Sequence, residues 1–259
     1  MMIEIGIDPV AFLSVTWYGI FIALAIIWII LWAAWQIRKG AKISYDTLFT
    51  AALVGIPSGI VLAKVLHIID RWDLYAQNPG QIFSASGLTA YGGILGAALG
   101  IWIYSKFSKL QFGYFTDLLA PSVIVAQAVI GRIGCTINGC CFGLETSLPW
   151  GITYTHPDSH GPQRIAVHPT QVYEIIFALI VFGILLKLRG RFKPDGSLFL
   201  IYLSLYSLWR LGIDFLRDGT QFLFSLHQAQ IIAIIVLAIC VPLLAHRTRW
   251  VKRESNTKQ

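Results

Sequence analysis

Long apolar runs broken by short polar connectors dominate the chain. Seven stretches, at roughly 12 to 35, 47 to 69, 87 to 105, 117 to 137, 170 to 187, 196 to 216 and 229 to 246, are long enough to cross a bilayer as helices. The pattern predicts an all-α, polytopic membrane protein with about seven transmembrane helices. Residues 1–246 form a single transmembrane domain in this reading, and 247–259 a basic cytoplasmic tail. The longest connector, about 138 to 168, is rich in Gly and Pro and predicts a structured irregular loop. The segment from Asp70 to Gly87, with Trp72, Leu74 and Tyr75 among polar residues, reads either as an interfacial stretch or as an ordinary connector. No internal repeat is visible.

Composition supports the membrane reading: 56% of the 259 residues are hydrophobic and 13% charged, more apolar surface than a soluble core of this size can hide. Charge then sets the orientation. Arg38, Lys39 and Lys42, then Lys106 and Lys109, then Lys187 to Lys193, then the C-terminal tail together hold 14 of the 20 Lys and Arg. All lie on one side of a seven-span arrangement, which by the positive-inside rule puts the N-terminus outside and the C-terminus in the cytoplasm. Met1 to Pro9 carries Glu4 and Asp8 but no Lys or Arg. A cleavable signal would begin with a basic segment, so the first span is expected to be retained. The formal charge of +7 reflects the inside anchors, and no soluble basic domain suggests a nucleic-acid partner.

Against this background two arginines stand out. Arg132 and Arg210 lie in or at the end of apolar stretches, where a charge costs at least about 2.5 to 3.5 kcal/mol. Around the first runs Gly131-Arg132-Ile133-Gly134-Cys135-Thr136-Ile137-Asn138-Gly139-Cys140-Cys141-Phe142-Gly143, too rich in glycine and hydrogen-bonding groups for a lipid-facing helix. With the orientation above, Tyr18, Lys64, Tyr91, Arg132, His168, Tyr206, Arg210, Asp214 and Arg217 all fall toward the outer side. The inner halves of the spans are almost entirely apolar, which suits a one-sided cavity rather than a channel or a transport path. Several cations at that depth call for an anion, and guanidinium pairs with phosphate through two parallel hydrogen bonds. A phospholipid phosphate is the expected ligand. Alternatively, either arginine is a structural charge paired with Asp214 or Glu174.

These motifs carry a resemblance. Trp17-Tyr18-Gly19, Tyr91-Gly92-Gly93, Gly131-Arg132-Ile133-Gly134, Ile137-Asn138-Gly139, His168-Pro169-Thr170-Gln171-Val172-Tyr173-Glu174 and the run from Tyr206 through Arg210 to Arg217 make the chain similar, nearly end to end, to the phosphatidylglycerol:prolipoprotein diacylglyceryl transferases. The resemblance implies an enzyme of the bacterial cytoplasmic membrane. It would move diacylglyceryl from phosphatidylglycerol to the lipobox cysteine of a prolipoprotein and release glycerol phosphate. Its partners would be phosphatidylglycerol, the lipobox peptide and membrane lipids, with the active site facing the outer leaflet. Weighed against it are a related phospholipid-binding transferase with another acceptor and a non-enzymatic phospholipid binder or transporter. By the resemblance Arg132 and Arg210 match essential arginines, while Tyr18, Asn138, Gly143 and Tyr206 match signature positions. Asp214 stands where glutamate is frequent. The chain departs from the best-known members at Tyr91, where they carry histidine, at Cys140, where they carry glutamate, and at Cys135, where asparagine is frequent.

The chemistry can be read from the residues. A free cysteine with a pKa near about 8.5 is only a few per cent thiolate at neutral pH, so attack by sulfur on the glycerol carbon needs help. Arg132 and Arg210 are expected to hold the phosphate and stabilise its departure. Tyr91 or His168 would assist deprotonation, although His168 reads equally as a structural group ahead of Pro169. Tyr18, Asn138, Gly143, Tyr206, Asp214 and Lys64 complete the expected substrate site, with snorkelling as the alternative for Lys64. Glu174 and Gln171 read as structural. Cys240 reads as packing, and Cys135, Cys140 and Cys141 as inert small residues, with a disulfide from Cys135 to Cys140 or Cys141 as the alternative. A metal would need a fourth ligand such as His156, His160 or His168, and the spacing fits no standard zinc pattern. Neither a metal nor a cofactor is expected.

Overall fold

In the computed structural model, which describes residues 3–13, 15–83, 87–219, 222–223 and 225–251, the apolar runs become helices. They are α1 (Trp17–Arg38), α2 (Tyr45–Asp70), a short α3 (Trp72–Gln77), α4 (Ala90–Phe107), α5 (Phe112–Val125), α6 (Gly131–Asn138), α7 (Thr170–Leu188), α8 (Ser197–Ile213) and α9 (Gln228–Arg247). A π-helical segment, Ala126–Ile130, joins α5 to α6 into one 27-residue rod. Among the described residues six helices are long and apolar enough to cross a membrane: α1, α2, the α5–α6 rod, α7, α8 with its 3-10 extension to Leu216, and α9. The third expected span, α4, is an 18-residue helix outside that set. Its four glycines and Lys106 dilute its hydropathy.

The first helix starts later than its apolar run. Val10–Phe12 (β2) and Val15–Thr16 (β3) form a small hairpin, and Thr16 caps α1 by accepting from the Gly19 amide. Ile3–Ile5 (β1) runs parallel to Ile152–Tyr154 (β4), which pairs antiparallel with Ala166–Val167 (β5). The long connector is therefore structured, but as a small sheet over one end of the bundle rather than as an irregular loop. Ile152, Tyr154 and Val167 give it a core of its own. The 70–87 connector holds α3 and a 3-10 turn at Pro79–Phe83.

Reversals between helices sort the two ends of the bundle by charge. At one end Lys42 N donates to Tyr114, Arg189 donates to Gln36, and Phe192–Lys193 (β6) pairs with Arg249–Trp250 (β7). This is the end with the clustered Lys and Arg. The expected basic tail, 247–259, begins at Arg247, the last residue of α9, and runs through β7; its residues 252–259 lie outside the described residues. Asp117 of α5 fixes the turn into α8, accepting from the amides of Gly196 and Phe199 at 2.8 Å each. The opposite end gathers the starts of α1, α4, α7 and α9 with the ends of α2, α6 and α8 under the small sheet.

The main core runs between α4, α5, α7, α8 and α9, with Tyr91, Ile124, Leu185, Tyr202, Tyr206 and Val236 among its buried residues. Against lipid there is no hydrophobic gain in helix association, so close backbone approach has to supply it. Helices α2 and α4 achieve this through glycine. A Cβ on Gly92 would lie 2.4 Å from the Ala63 Cα, and one on Gly96 would lie 2.5 Å from the Ser58 carbonyl oxygen. A Cβ on Gly93 would meet nothing within 4 Å. Gly92→Ala is therefore expected to destabilise the protein by about 1 to 3 kcal/mol through overpacking. Gly93→Ala should be neutral or stabilising by up to about 1 kcal/mol through helix propensity. Thermal unfolding of the two variants in the same detergent compares them directly.

Candidate active site

The two membrane arginines meet on one carboxylate. Glu174, in the second turn of α7, accepts from Arg132 Nη2 of α6 at 3.0 Å (Oε1) and 2.8 Å (Oε2). Arg210 Nη1 of α8 lies 3.7 Å from Glu174 Oε2. Tyr206, one turn before Arg210, donates its hydroxyl to Glu174 Oε1 at 3.2 Å. Arg210 Nη2 reaches both oxygens of Asp214, at 2.7 and 2.8 Å, and Arg217 Nη1 lies 3.6 Å from Asp214 Oδ1. The Arg132, Arg210, Glu174 and Asp214 side chains are 8% exposed or less, so each charge is compensated out of water.

Local structure explains how these groups come together. The π turn widens the helix just before Gly131 and sets the rotation of α6, a feature often found beside functional residues. A Cβ on Gly134 would lie 3.2 Å from the Tyr18 Cα, so α6 packs tightly on the start of α1 and brings Tyr18 beside it. Along α8 and into its 3-10 extension, Tyr206, Arg210 and Asp214 follow one another every four residues and share one face, from which Tyr206 and Arg210 reach Glu174 of α7.

The cluster is not neutral. With Arg217, whose side chain is 14% exposed, three guanidiniums face two carboxylates, leaving one positive charge in excess at the cluster's more open edge. Among the described residues the buried Nε atoms of Arg132 and Arg210 find no acceptor. Free donors on two buried cations with surplus positive charge are the features an oxyanion would satisfy. Between α7 and α8 lies an apolar groove of about 430 Å³ lined by Tyr173, Phe177, Leu205, Trp209 and Ile213 among others. Tyr173, Trp209 and Ile213 are the sequence neighbours of Glu174, Arg210 and Asp214. Phe177 and Trp209 stack there at 4.4 Å.

The remaining expected residues distribute around this centre. Tyr91 packs edge-on against Tyr206 at 5.4 Å and donates to Ser207 Oγ at 3.1 Å, so it belongs to the second layer of the cluster. His168 lies in a loop strap: its carbonyl accepts from Gly143 N, its amide donates to Leu144, and its Nδ1 lies 3.3 Å from the Tyr173 hydroxyl. Gly143 is squeezed between strands of this strap, since a Cβ there would lie 2.5 Å from both His168 Cβ and the Leu216 carbonyl oxygen. Asn138 ends α6, and its carbonyl accepts from the His160 amide. Lys64 donates to the Tyr75 hydroxyl and the Gln81 carbonyl, both at 3.2 Å.

Sequence reasoning undervalued two residues. Glu174 is the hub of the cluster, although its sequence context read as structural. The available signal was physical, because two buried arginines require buried carboxylates and the chain offers few. Gln171, on the same helix, donates from Nε2 to the Cys140 carbonyl at 2.7 Å and to the Tyr154 hydroxyl at 3.2 Å. It ties the Cys140–Cys141 turn to α7. Burial raises the Tyr154 phenol above its ordinary pKa, so this contact is to a neutral hydroxyl. All four cysteines are free thiols, and Cys240 is buried within the main core.

Known proteins align with this chain over almost its whole length. The family model for prolipoprotein diacylglyceryl transferase matches residues 7–246. A phosphatidylglycerol–prolipoprotein diacylglyceryl transferase of Dehalococcoides mccartyi (strain BAV1) is 47% identical over 256 residues, covering 97% of this chain and 98% of its own. Enzymes of the same name from Clostridioides difficile and Nostoc sp. are each 33% identical, covering 97% and 92% of this chain and 99% and 86% of their own. Helices, buried arginines and relatives agree: the chain belongs to the prolipoprotein diacylglyceryl transferase family.

Proposed function

We propose that this protein transfers the diacylglyceryl group of phosphatidylglycerol to the thiol of a prolipoprotein's lipobox cysteine and releases glycerol phosphate, the first step of bacterial lipoprotein maturation. The observation that carries this reading is the buried Arg132–Glu174–Arg210 cluster with its surplus positive charge and free Nε donors, in a chain whose full-length relatives bear that enzyme's name. An anionic headgroup answers the charge, and the groove between α7 and α8 offers apolar surface to acyl chains.

In this mechanism Arg132 and Arg210 hold the phosphate, and Glu174 fixes the planes of both guanidiniums before substrate arrives. The leaving phosphomonoester carries one more negative charge than the bound diester. Preplaced cations in a dry site stabilise that change without reorganising. Tyr206 and Asp214 keep Glu174 and Arg210 in position. Tyr91 is the better-placed candidate for assisting the acceptor thiol, because its ring contacts Tyr206, whereas His168 is committed to the strap around Gly143. Tyr18, Asn138, Gly143 and Lys64 border the substrate from α1, α2, the end of α6 and the loop after it. The protein sits in the cytoplasmic membrane with seven spans, the N-terminus outside and the basic end inside, so that the cluster opens toward the outer leaflet. That is where an exported, membrane-anchored prolipoprotein presents its cysteine.

Purified protein incubated with phosphatidylglycerol and a lipobox peptide tests this. A diacylglyceryl mass gain on the peptide with stoichiometric glycerol phosphate is expected, and binding of lipid without either product would overturn the reading. Arg132→Ala and Arg210→Ala should each lower kcat/KM by about 100- to 1,000-fold. Arg132→Lys should rescue little, since a single ammonium cannot reproduce the forked pairing; near-normal turnover in that variant would contradict the phosphate role. Glu174→Ala should lower stability by about 3 to 5 kcal/mol, because it strands a buried charge. Glu174→Gln should cost less in thermal unfolding yet still impair turnover. Full activity in both Tyr91→Phe and His168→Ala would remove both from the proton transfer.

A further inference from the structure

Three sulfur atoms beside the arginine cluster have no part in the mechanism so far. Cys135 lies in the last turn of α6, and Cys140 and Cys141 follow directly after Gly139 turns the chain back with φ +74°. The Sγ atoms of the three lie within 4.8 Å of one another, and all are free thiols. Around a metal bound tetrahedrally at about 2.3 Å, sulfurs sit about 3.8 Å apart, so small side-chain rotations bring these three onto one ion.

The surrounding backbone is held in place for such a role. Cys140 N donates to the Cys135 carbonyl at 3.1 Å, Gln171 Nε2 to the Cys140 carbonyl, and Thr170 Oγ1 to the Cys141 carbonyl at 2.6 Å. Cys141 has φ +63°, a conformation that a residue with a Cβ adopts at a cost and that the three bonds maintain. Cys135 is buried, while Cys140 and Cys141 are half-buried and leave one side of the group approachable. Arg132 Nη1 lies 3.9 Å from Cys135 Sγ. The same guanidinium thus offsets thiolate charge here and faces the proposed phosphate site.

We infer that Cys135, Cys140 and Cys141 form a three-thiolate site for a thiophilic divalent cation such as Zn²⁺, and that its open fourth position takes the sulfur of the acceptor cysteine. The second half of this inference rests on the transferase reading. Three protein ligands with one open position is the arrangement of catalytic zinc, and a metal-bound thiol is held as thiolate. The acceptor thiol gives its proton to water. Its sulfur lone pair forms the bond to the glycerol carbon, and the carbon–oxygen bond breaks with its electron pair leaving on the phosphate oxygen. The products are a thioether and glycerol phosphate. On this inference the metal takes over the part given above to Tyr91, whose hydroxyl bonds Ser207, and to His168, whose Nδ1 faces Tyr173.

Cobalt(II) titration of the reduced, full-length protein in phosphatidylglycerol nanodiscs tests it on the unaltered chain. One equivalent should bind with thiolate charge-transfer absorption, and a lipobox peptide should change that spectrum while its Cys→Ser analogue does not. Binding should be lost in Cys135→Ser, Cys140→Ser and Cys141→Ser but kept in Cys240→Ser. Absence of cobalt–thiolate absorption in reduced wild-type protein, or a Cys135 disulfide that forms readily and no metal uptake after its reduction, would overturn the site. Full diacylglyceryl transfer by metal-free protein in chelator, or a spectrum indifferent to the peptide, would overturn the fourth-position role. Cobalt binding and a peptide response without any transfer would instead sink the transferase reading and leave the metal site standing.

Discussion

Buried charge is the constraint around which this molecule is arranged. Arg132, Arg210 and Arg217 come from the α6–α8 half of the chain and are answered by Glu174 and Asp214. Taking an ion out of water costs several kcal/mol, and only close partners recover it. That requirement dictates which faces of α6, α7 and α8 meet, and it explains the four-residue spacing of Tyr206, Arg210 and Asp214 along one helix. The compensation is incomplete by one charge, and the Nε donors of Arg132 and Arg210 stay open. A folded state that carries this deficit is prepared for an anion.

The rest of the bundle serves to hold that cluster rigid in a solvent where apolar packing alone gives little. Glycine contacts lock α2 to α4, and Tyr91 at the start of α4 then presses on Tyr206. Asp117 pins the turn into α8 at the far end, so the register of Arg210 is fixed from both directions. The small sheet β1-β4-β5 covers the end that holds the buried ion pairs, and its Tyr154 reaches Gln171 on α7. Loop, sheet and helices therefore converge on the first turns of α7, where Thr170 and Gln171 bind the Cys140–Cys141 turn, Gln171 also reaches Tyr154 of the sheet, and Glu174 binds Arg132 of α6.

Charge is also divided between the two ends of the helices. The clustered Lys and Arg of the connectors lie at one end, and the buried ion pairs lie at the other. The first group is solvated and marks orientation by its asymmetry, whereas the second is desolvated and depends on geometry. Groups of the same chemical type thus do different work according to whether water reaches them. The thiols follow the same logic: Cys240, alone in the core, packs, while Cys135, Cys140 and Cys141 share a half-buried edge next to Arg132.

The lengths of the apolar runs and the charge asymmetry in the sequence determined the helical class, the positions of the long helices to within a few residues, and the grouping of Arg132, Arg210, Tyr206 and Asp214 at one end. Those properties are local, because each span must satisfy its own backbone hydrogen bonds within lipid. The tertiary structure alone decided which carboxylate pairs with which arginine, since Glu174 and Asp214 were equally available to both from sequence. It also decided that the 138–168 connector forms a sheet with residues 3–5, that α5 continues into α6 through a π turn, that Tyr91 stands behind Tyr206 and that three cysteines converge. Each of these depends on contacts between segments far apart in the chain or on a helix rotation of a fraction of a turn. Neither leaves a periodic trace in the residues themselves.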